Sequence, residues 1–333
     1  MRAKLGCQMV LERDIRSHKE LSLWLLERGH EPVTFENLAG DVSPRRYIRV
    51  TLSEGSAIVA LYPPTLDEAY QGFLRSTRLL QEAGVRVPEI LDQDDEAGLM
   101  MLEDVGADTL FDWRGEPWET VEHFVEASRR AATRIARISC DATDLPAPPL
   151  DGAALWRELE GTWQGFLLPT GLCGREPLRG RLHQGLHDLC LQLDENALVP
   201  CHRDFMVRNL VPDAKRRSVI VLDHQDLRLG PPLYDLASLS NDSLFLHDAK
   251  ARDLFGGDLV SSLQYRRCAA QRTLKIVGTF VSFARRGQPR YLPMVGECLH
   301  RCLLHLAGLP ETEGLVSDLR QLWGPTIQTG AVW

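Results

Sequence analysis

No stretch of this chain approaches the ~20 consecutive apolar residues that a bilayer-spanning helix needs. The longest apolar run near the start, 21–26, is interrupted by Ser22 and closed by Glu27 and Arg28, so neither a signal peptide nor a membrane partner is expected. The eight cysteines contain no Cys-x-x-Cys pair, which argues against a zinc site or a disulfide framework and for free thiols in a reducing cytoplasm. His183 and His187 are four apart, as are Cys298 and Cys302, but neither pair has a third and fourth ligand nearby, and packing is the expectation for both. A basic surplus is missing too: 38 Lys and Arg stand against 46 Asp and Glu, a formal charge of −8, which argues against a general nucleic-acid binder. Internal repeats and low-complexity segments are absent. What remains is an ordinary soluble composition, 44% hydrophobic and 25% charged, in a chain of 333 residues that is too long for one simple core and suits two lobes.

The order of patterns divides the chain. Residues 11–28 have helical spacing and stop at Gly29. Three strand-like runs follow at 33–38, 46–52 and 58–62, with turn residues around Gly40 and Gly55. A helix is predicted over about 66–83, then two further strands at 88–91 and 98–102. The Glu103-Asp104-Val105-Gly106 stretch breaks this pattern. Beyond it helical spacing dominates, at 118–139, 155–168, 182–193 and from about 233 to 323, interrupted by a short β interlude at 198–201, 210–212 and 219–222. The expected architecture is α+β, with a small β-rich lobe over 1–103 and a larger, mainly helical lobe over 104–333.

The β interlude holds the residues with chemistry in them. His202-Arg203-Asp204-Phe205-Met206-Val207-Arg208-Asn209 follows one apolar run, and a second apolar run ends in Asp223, fourteen residues after Asn209. Transfer of a phosphoryl group to a hydroxyl needs a carboxylate to orient the hydroxyl and accept its proton. It also needs hard oxygen ligands for Mg²⁺, and cations or backbone N–H groups to absorb the remaining charge. Asp204 suits the first role; Asn209 and Asp223 suit the second, because a hairpin between them would return Asp223 beside the loop. Asp235, in the helix after Pro231-Pro232, has two readings: contact with substrate, or a structural carboxylate that caps its helix or accepts hydrogen bonds from the loop.

These blocks, in this order, resemble the aminoglycoside phosphotransferase and choline kinase superfamily, and within it the bacterial anomeric kinases of N-acetylmuramate and N-acetylglucosamine that serve cell-wall recycling. The resemblance is carried by residues 39–47, 102–106, 202–209, Leu222-Asp223-His224-Gln225-Asp226 and the later Gly230-Pro231 and Tyr234-Asp235-Leu236. It implies a protein-kinase-like two-lobed fold, ATP and Mg²⁺ as cofactors, Asp204 as catalytic base, and Asn209 and Asp223 as Mg²⁺ ligands. It further implies adenine contacts at the backbone of Glu103 to Val105, and a turn from Gly40 to Ser43 over the phosphates, where Gly permits close backbone approach. One feature departs from the wider superfamily. The third strand, Ile58-Val59-Ala60-Leu61-Tyr62, lacks the lysine that usually holds the α- and β-phosphates. Arg45 and Arg46 are the candidate replacements; strand alternation lets one of them face the nucleotide, and Arg46 is preferred.

The acceptor expected from this branch is a small sugar. Gln225 and Asp226 lie just past the metal ligand and either hydrogen-bond sugar hydroxyls or serve the loop structurally. An N-acetylmuramate carboxylate wants a cation, for which Arg203, Arg208 and Arg228 are candidates; Arg203 also has the alternative of bridging acidic groups within the loop. Kinases of aminoglycosides, choline or homoserine remain the competing enzymes. A non-catalytic pseudokinase is the competing binding module.

Overall fold

The structure is a computed structural model that describes residues 18–38, 45–242 and 254–329, with the backbone alone at Pro64 and at 325–329. The chain divides into two compact units. The first comprises residues up to Gln71 together with Pro88–Val105; the second comprises Gly72–Val87 together with Gly106 onwards.

The first unit is built on a five-stranded antiparallel sheet. Its strands are β1 (Pro32–Leu38), β2 (Arg46–Leu52), β3 (Gly55–Leu61), β4 (Ile90–Asp94) and β5 (Leu99–Glu103), arranged in the order β1-β2-β3-β5-β4. Side chains alternate across a sheet, and those of one parity pack against a helix. Ile48, Val50, Ala57, Val59, Leu61, Leu99 and Met101 form a core with Leu21, Trp24 and Leu25 of helix α1 (His18–Glu27). Trp24 Nε1 and Arg28 Nη2 both reach Asp94 Oδ2, each at 3.1 Å, and anchor that helix to the edge of β4. Helix α2 (Asp67–Glu82) begins in this unit and ends in the other.

The second unit has two apolar clusters. One gathers α3 (Trp118–Ile135) around the hairpin β7–β8 (Leu210–Asp213 and Ser218–Val221). The other packs α4 (Gly152–Thr162), α5 (Glu176–Gln192), α8 (Leu263–Arg285), α9 (Val295–Leu306) and α10 (Glu313–Thr329) into a helical body. Shorter pieces connect them: β6 (Val199–Cys201) pairs with β9 (Arg228–Gly230), and α6 (Tyr234–Ser240) and α7 (Gly257–Ser261) precede α8. The crossing of α8 on α4 is close enough to require glycine: a Cβ at Gly278 would lie 2.7 Å from the backbone nitrogen of Thr162. Thr162 Oγ1 donates to Leu274 O at 3.0 Å across the same contact, which fixes the register of the two helices.

Three of the differences from the sequence reading have a local cause. Helix α4 starts at Gly152 because Asp151 caps it, accepting from Ala154 N at 2.7 Å. Its continuation over Trp163–Leu172 is a π-helix rather than more α-helix, with Pro169 inside and Gly171 at φ 152°. Strand β9, only three residues long, gave no periodic signal. His183 and His187 pack edge-on against Trp156, at 4.7 and 5.4 Å between ring centroids, and Cys298 and Cys302 are buried in α9. Among the described residues no helix is long and apolar enough to cross a membrane.

Candidate active site

The loop 202–209 is positioned by alternation. Phe205 and Val207 are fully buried in the cluster with α3 and the hairpin, so they act as two apolar anchors between Asp204 and Asn209. Backbone bonds fix the ends: Val207 N donates to Asp242 Oδ2 at 3.0 Å, and Asn209 N to Met206 O at 2.8 Å. Asn209 O in turn accepts from Leu222 N at 2.8 Å, one step beyond the Leu210–Val221 pair. The hairpin therefore brings Asn209 and Asp223 to the same end, as their spacing predicts.

Asp235 decides between its two readings. Its carboxylate is buried and accepts two successive loop amides, His202 N at 2.7 Å to Oδ2 and Arg203 N at 3.0 Å to Oδ1. It is a structural clamp on the loop. Burial pushes its carboxyl above the ordinary range, against these donors. The clamp holds Arg203 at φ 74°, a left-handed conformation that costs an L-residue about 1 kcal/mol or more. Asp223 is likewise left-handed, at φ 58°. His202 Nε2 lies 2.8 Å from Leu222 O and ties the loop to β8, while the buried His224 lies 2.7 Å by Nε2 from Thr77 Oγ1. Burial, reinforced by the neighbouring His202, pushes the His224 pKa down to about 3, so the ring is neutral near pH 7.

Asp204 sits among three cations. Its Oδ1 is 3.0 Å from Arg272 Nη2 and 3.2 Å from Lys275 Nζ; its Oδ2 has Arg203 Nη1 at 3.7 Å, beyond hydrogen-bond reach. Burial alone would raise the carboxyl, but Lys275, Arg272 and Arg203 together outweigh it and hold Asp204 well below the ordinary carboxylate range. The group is an anion near neutral pH, with Oδ2 the less encumbered oxygen.

Arg203 places Nε 2.7 Å from Glu158 Oε1 and Nη1 3.2 Å from Asp226 Oδ2, so it bridges acidic groups, the alternative its sequence reading left open. Arg228 lies 3.6 Å from the same Asp226 oxygen, and Gln225 Nε2 donates to Asp223 Oδ1 at 2.7 Å. Asp204, Asn209, Asp223, Arg203, Gln225 and Asp226 are thus gathered by one loop, one hairpin and the turn after it.

The nucleotide residues expected in the first unit are placed separately. Gly40 and Ser43 lie outside the described residues. Arg46 is exposed and has the strand parity of the apolar Ile48 and Val50, whereas Arg45 lies over the Tyr62 ring at 6.0 Å. Glu103 N donates to Glu89 O at 2.8 Å, and Asp104 takes a two-pronged bond from Arg49 at 2.8 and 3.2 Å. Val105 follows, half-buried.

Sequence reasoning missed Arg272 and Lys275. Both sit on α8, three residues apart, among the apolar Ala269, Ala270, Leu274, Ile276 and Val277 and the polar Gln271 and Thr273; two cations within that mostly apolar segment were the available signal. The role of Glu158 as partner of Arg203 was missed as well, since it depends on where α4 lies.

The arrangement offers an ionised carboxylate to a hydroxyl, with two hard oxygen donors beside it. Asn209 Nδ2 donates to Asp204 O at 2.9 Å, which leaves its side-chain oxygen as an acceptor, and Asp223 keeps Oδ2 outside its bond to Gln225. This donor set fits Mg²⁺. No group of three His, Cys, Asp or Glu side chains that could hold a metal ion occurs among the described residues, so such an ion would need further ligands from a phosphate or from water.

Known proteins share this organisation. The sequence pattern of the phosphotransferase enzyme family matches residues 34–269. The N-acetylmuramate/N-acetylglucosamine kinase of Pseudomonas aeruginosa is 32% identical over 312 residues, covering 85% of this chain and 88% of that protein. The kinase of the same name from Pseudomonas putida is 29% identical over 319 residues, covering 84% and 89%. Among solved structures, aminoglycoside phosphotransferase APH(4)-Ia superposes with a TM-score of 0.62 at 12% identity, covering 86% of this chain and 98% of that one. Choline kinase LicA from Streptococcus pneumoniae superposes with a TM-score of 0.57 at 16% identity, covering 89% and 100%. The fold is therefore the protein-kinase-like one, and the chain belongs to the phosphotransferase enzyme family.

Proposed function

We propose that the protein transfers the γ-phosphoryl group of ATP to the anomeric hydroxyl of N-acetylmuramate or N-acetylglucosamine, in the cytoplasm, as a step of cell-wall recycling. The observation that carries the transfer is Asp204, an anion with Oδ2 open, on a loop that also delivers Asn209 and Asp223. The choice of acceptor rests on the two Pseudomonas kinases, which align with more than four-fifths of the chain.

In this reading the acceptor hydroxyl donates to Asp204 Oδ2. Its oxygen attacks the γ-phosphorus, an O–P bond forms, the bond from γ-phosphorus to the bridging oxygen breaks, and ADP leaves with the electron pair. The proton passes to Asp204 and then to solvent. A loose transition state puts little charge on the attacking oxygen until late, so a weakly basic carboxylate is adequate, the more so for an anomeric hydroxyl, which is more acidic than an ordinary alcohol. Asn209 and Asp223 would hold Mg²⁺, which when bound neutralises phosphate charge. Arg203 and Asp226 are fixed to each other, so sugar contacts at this end fall to Gln225 and to whatever edge of Asp226 the acceptor reaches. Residues 1–103 would bind the nucleotide and 104–333 would supply catalysis and acceptor binding. The Glu103 N–H is spent on Glu89, so an amide donor to adenine would come from Asp104 or Val105. The Gly40–Ser43 turn would cover the phosphates, with Arg45 or Arg46 supplying the cation that β3 lacks.

The test is turnover with ATP and Mg²⁺ against a panel of N-acetylmuramate, N-acetylglucosamine, choline, homoserine and an aminoglycoside, read as ADP release. Activity confined to the amino sugars and abolished by EDTA supports the reading; turnover of choline or an aminoglycoside alone removes it.

A further inference from the structure

The kinase reading leaves a charge unaccounted for in the second unit. A transferring phosphoryl group needs a cation beside it that is absent from the ground-state bonding of the fold or able to leave it. Three of the cations around the loop are committed. Arg203 is spread over Glu158 and Asp226, at 2.7 and 3.2 Å. Arg208 has its Cζ over the Phe111 ring, 3.7 Å from the centroid, with the Tyr291 ring at 5.4 Å. Arg272 is 1% exposed: its Nε donates to Ser238 Oγ at 3.0 Å and its Nη2 is ion-paired with Asp204 Oδ1 at 3.0 Å without a hydrogen bond, so burial holds it in place.

Lys275 is different. Its ammonium contacts Asp204 Oδ1 at 3.2 Å through a four-carbon stem, and its side chain keeps 14% of its surface open. Its backbone cannot drift, because Gly278 and Thr162 lock α8 onto α4 one turn further along. Lys275 also lies beyond residue 269, where the family pattern ends.

We propose that Lys275 is a catalytic residue that moves from Asp204 onto the transferring phosphoryl oxygens, while Arg272 stays behind as the positioning residue that keeps Asp204 in place. The reach suffices. An acceptor oxygen bound to Asp204 Oδ2 would be about 3 Å from the carboxylate and about 3–3.5 Å from the phosphorus in a near-attack geometry. A rotation of the lysine stem covers the difference, and the departing ammonium leaves Arg272 on Oδ1. Electrons and atoms balance as in the transfer described above, since Lys275 donates hydrogen bonds and keeps its protons. This assignment rests on the kinase reading but not on which alcohol is the acceptor.

The experiment compares the full-length wild type, Lys275→Met and Lys275→Arg, each checked for folding by circular dichroism. The expected result is a kcat lower by about 100-fold in Lys275→Met with both KM values within about threefold, the pattern of an interaction made in the transition state. Lys275→Arg should recover at least about a tenth of wild-type kcat, since it keeps the charge. A second measurement separates catalysis from scaffolding. ADP with Mg²⁺ should raise the melting temperature of wild type and Lys275→Met equally, whereas adding aluminium fluoride and acceptor, a mimic of the transferring phosphoryl, should raise it further only in wild type and Lys275→Arg. An unchanged kcat in Lys275→Met, or equal stabilisation of all three proteins by the mimic, overturns the assignment. If the wild type uses another alcohol, the sugar reading falls and the same comparison is made with that alcohol; a wild type that phosphorylates no alcohol overturns both.

Discussion

The 202–209 loop and the third strand of the sheet treat charge in opposite ways. Around 202–209, two carboxylates face positive partners: Asp235 accepts from two backbone amides, and Asp204 lies beside the cations Arg272, Lys275 and Arg203. Strand β3 presents Ala57, Val59, Ala60 and Leu61, all buried and apolar, and carries no lysine. The cations of the second unit lie on α8 and the loop, and those of the first stand at the start of β2 rather than on β3.

The sharpest way to break this comparison is at Asp204. Asp204→Asn keeps the shape but not the anion, and kcat is expected to fall by about 10³–10⁴, at the upper end for a general base, with the KM for ATP little changed. Turnover within tenfold of wild type would move the chemistry elsewhere. Asp235→Ala tests whether the loop is held by the clamp. Two hydrogen bonds to a buried carboxylate are lost, so stability should drop by about 3 kcal/mol in urea unfolding, with kcat reduced as well because Arg203 is released. A variant of wild-type stability would make the clamp redundant. On the other side of the comparison, Arg45→Ala should raise the KM for ATP by about tenfold and Arg46→Ala by less, because Arg45 lies on the parity away from the apolar core. The reverse order would return the phosphate role to Arg46. The smallest effect expected is from Thr77→Val, which removes the buried partner of His224 and should cost about 1–2 kcal/mol of stability, measured the same way, without changing kcat by more than about twofold.

Legibility in the sequence followed the range of the interactions. The loop, Asn209 and Asp223 were readable because polar residues interrupt two apolar runs and a hairpin joins them within twenty residues. The strands of the first unit were readable because Ile48, Val50, Val59 and Met101 alternate. Glu158, Arg272 and Lys275 were not, since their partner Asp204 or Arg203 is about 45 to 70 positions away and only the crossing of α4 and α8 brings them close. The π-helical turn at Trp163–Leu172 was unreadable for a local reason: its apolar spacing continues that of α4, and the change of pitch is set by Pro169, Gly171 and the packing around them.

The regiochemistry of the product bears most directly on the claim that Asp204 serves an anomeric hydroxyl. Wild-type protein, ATP, Mg²⁺ and N-acetylmuramate should yield a sugar 1-phosphate, seen in the ³¹P spectrum by its coupling to the anomeric proton, and Asp204→Asn should yield almost none over the same time. A 6-phosphate, or the same 1-phosphate formed at an undiminished rate by Asp204→Asn, would contradict the account.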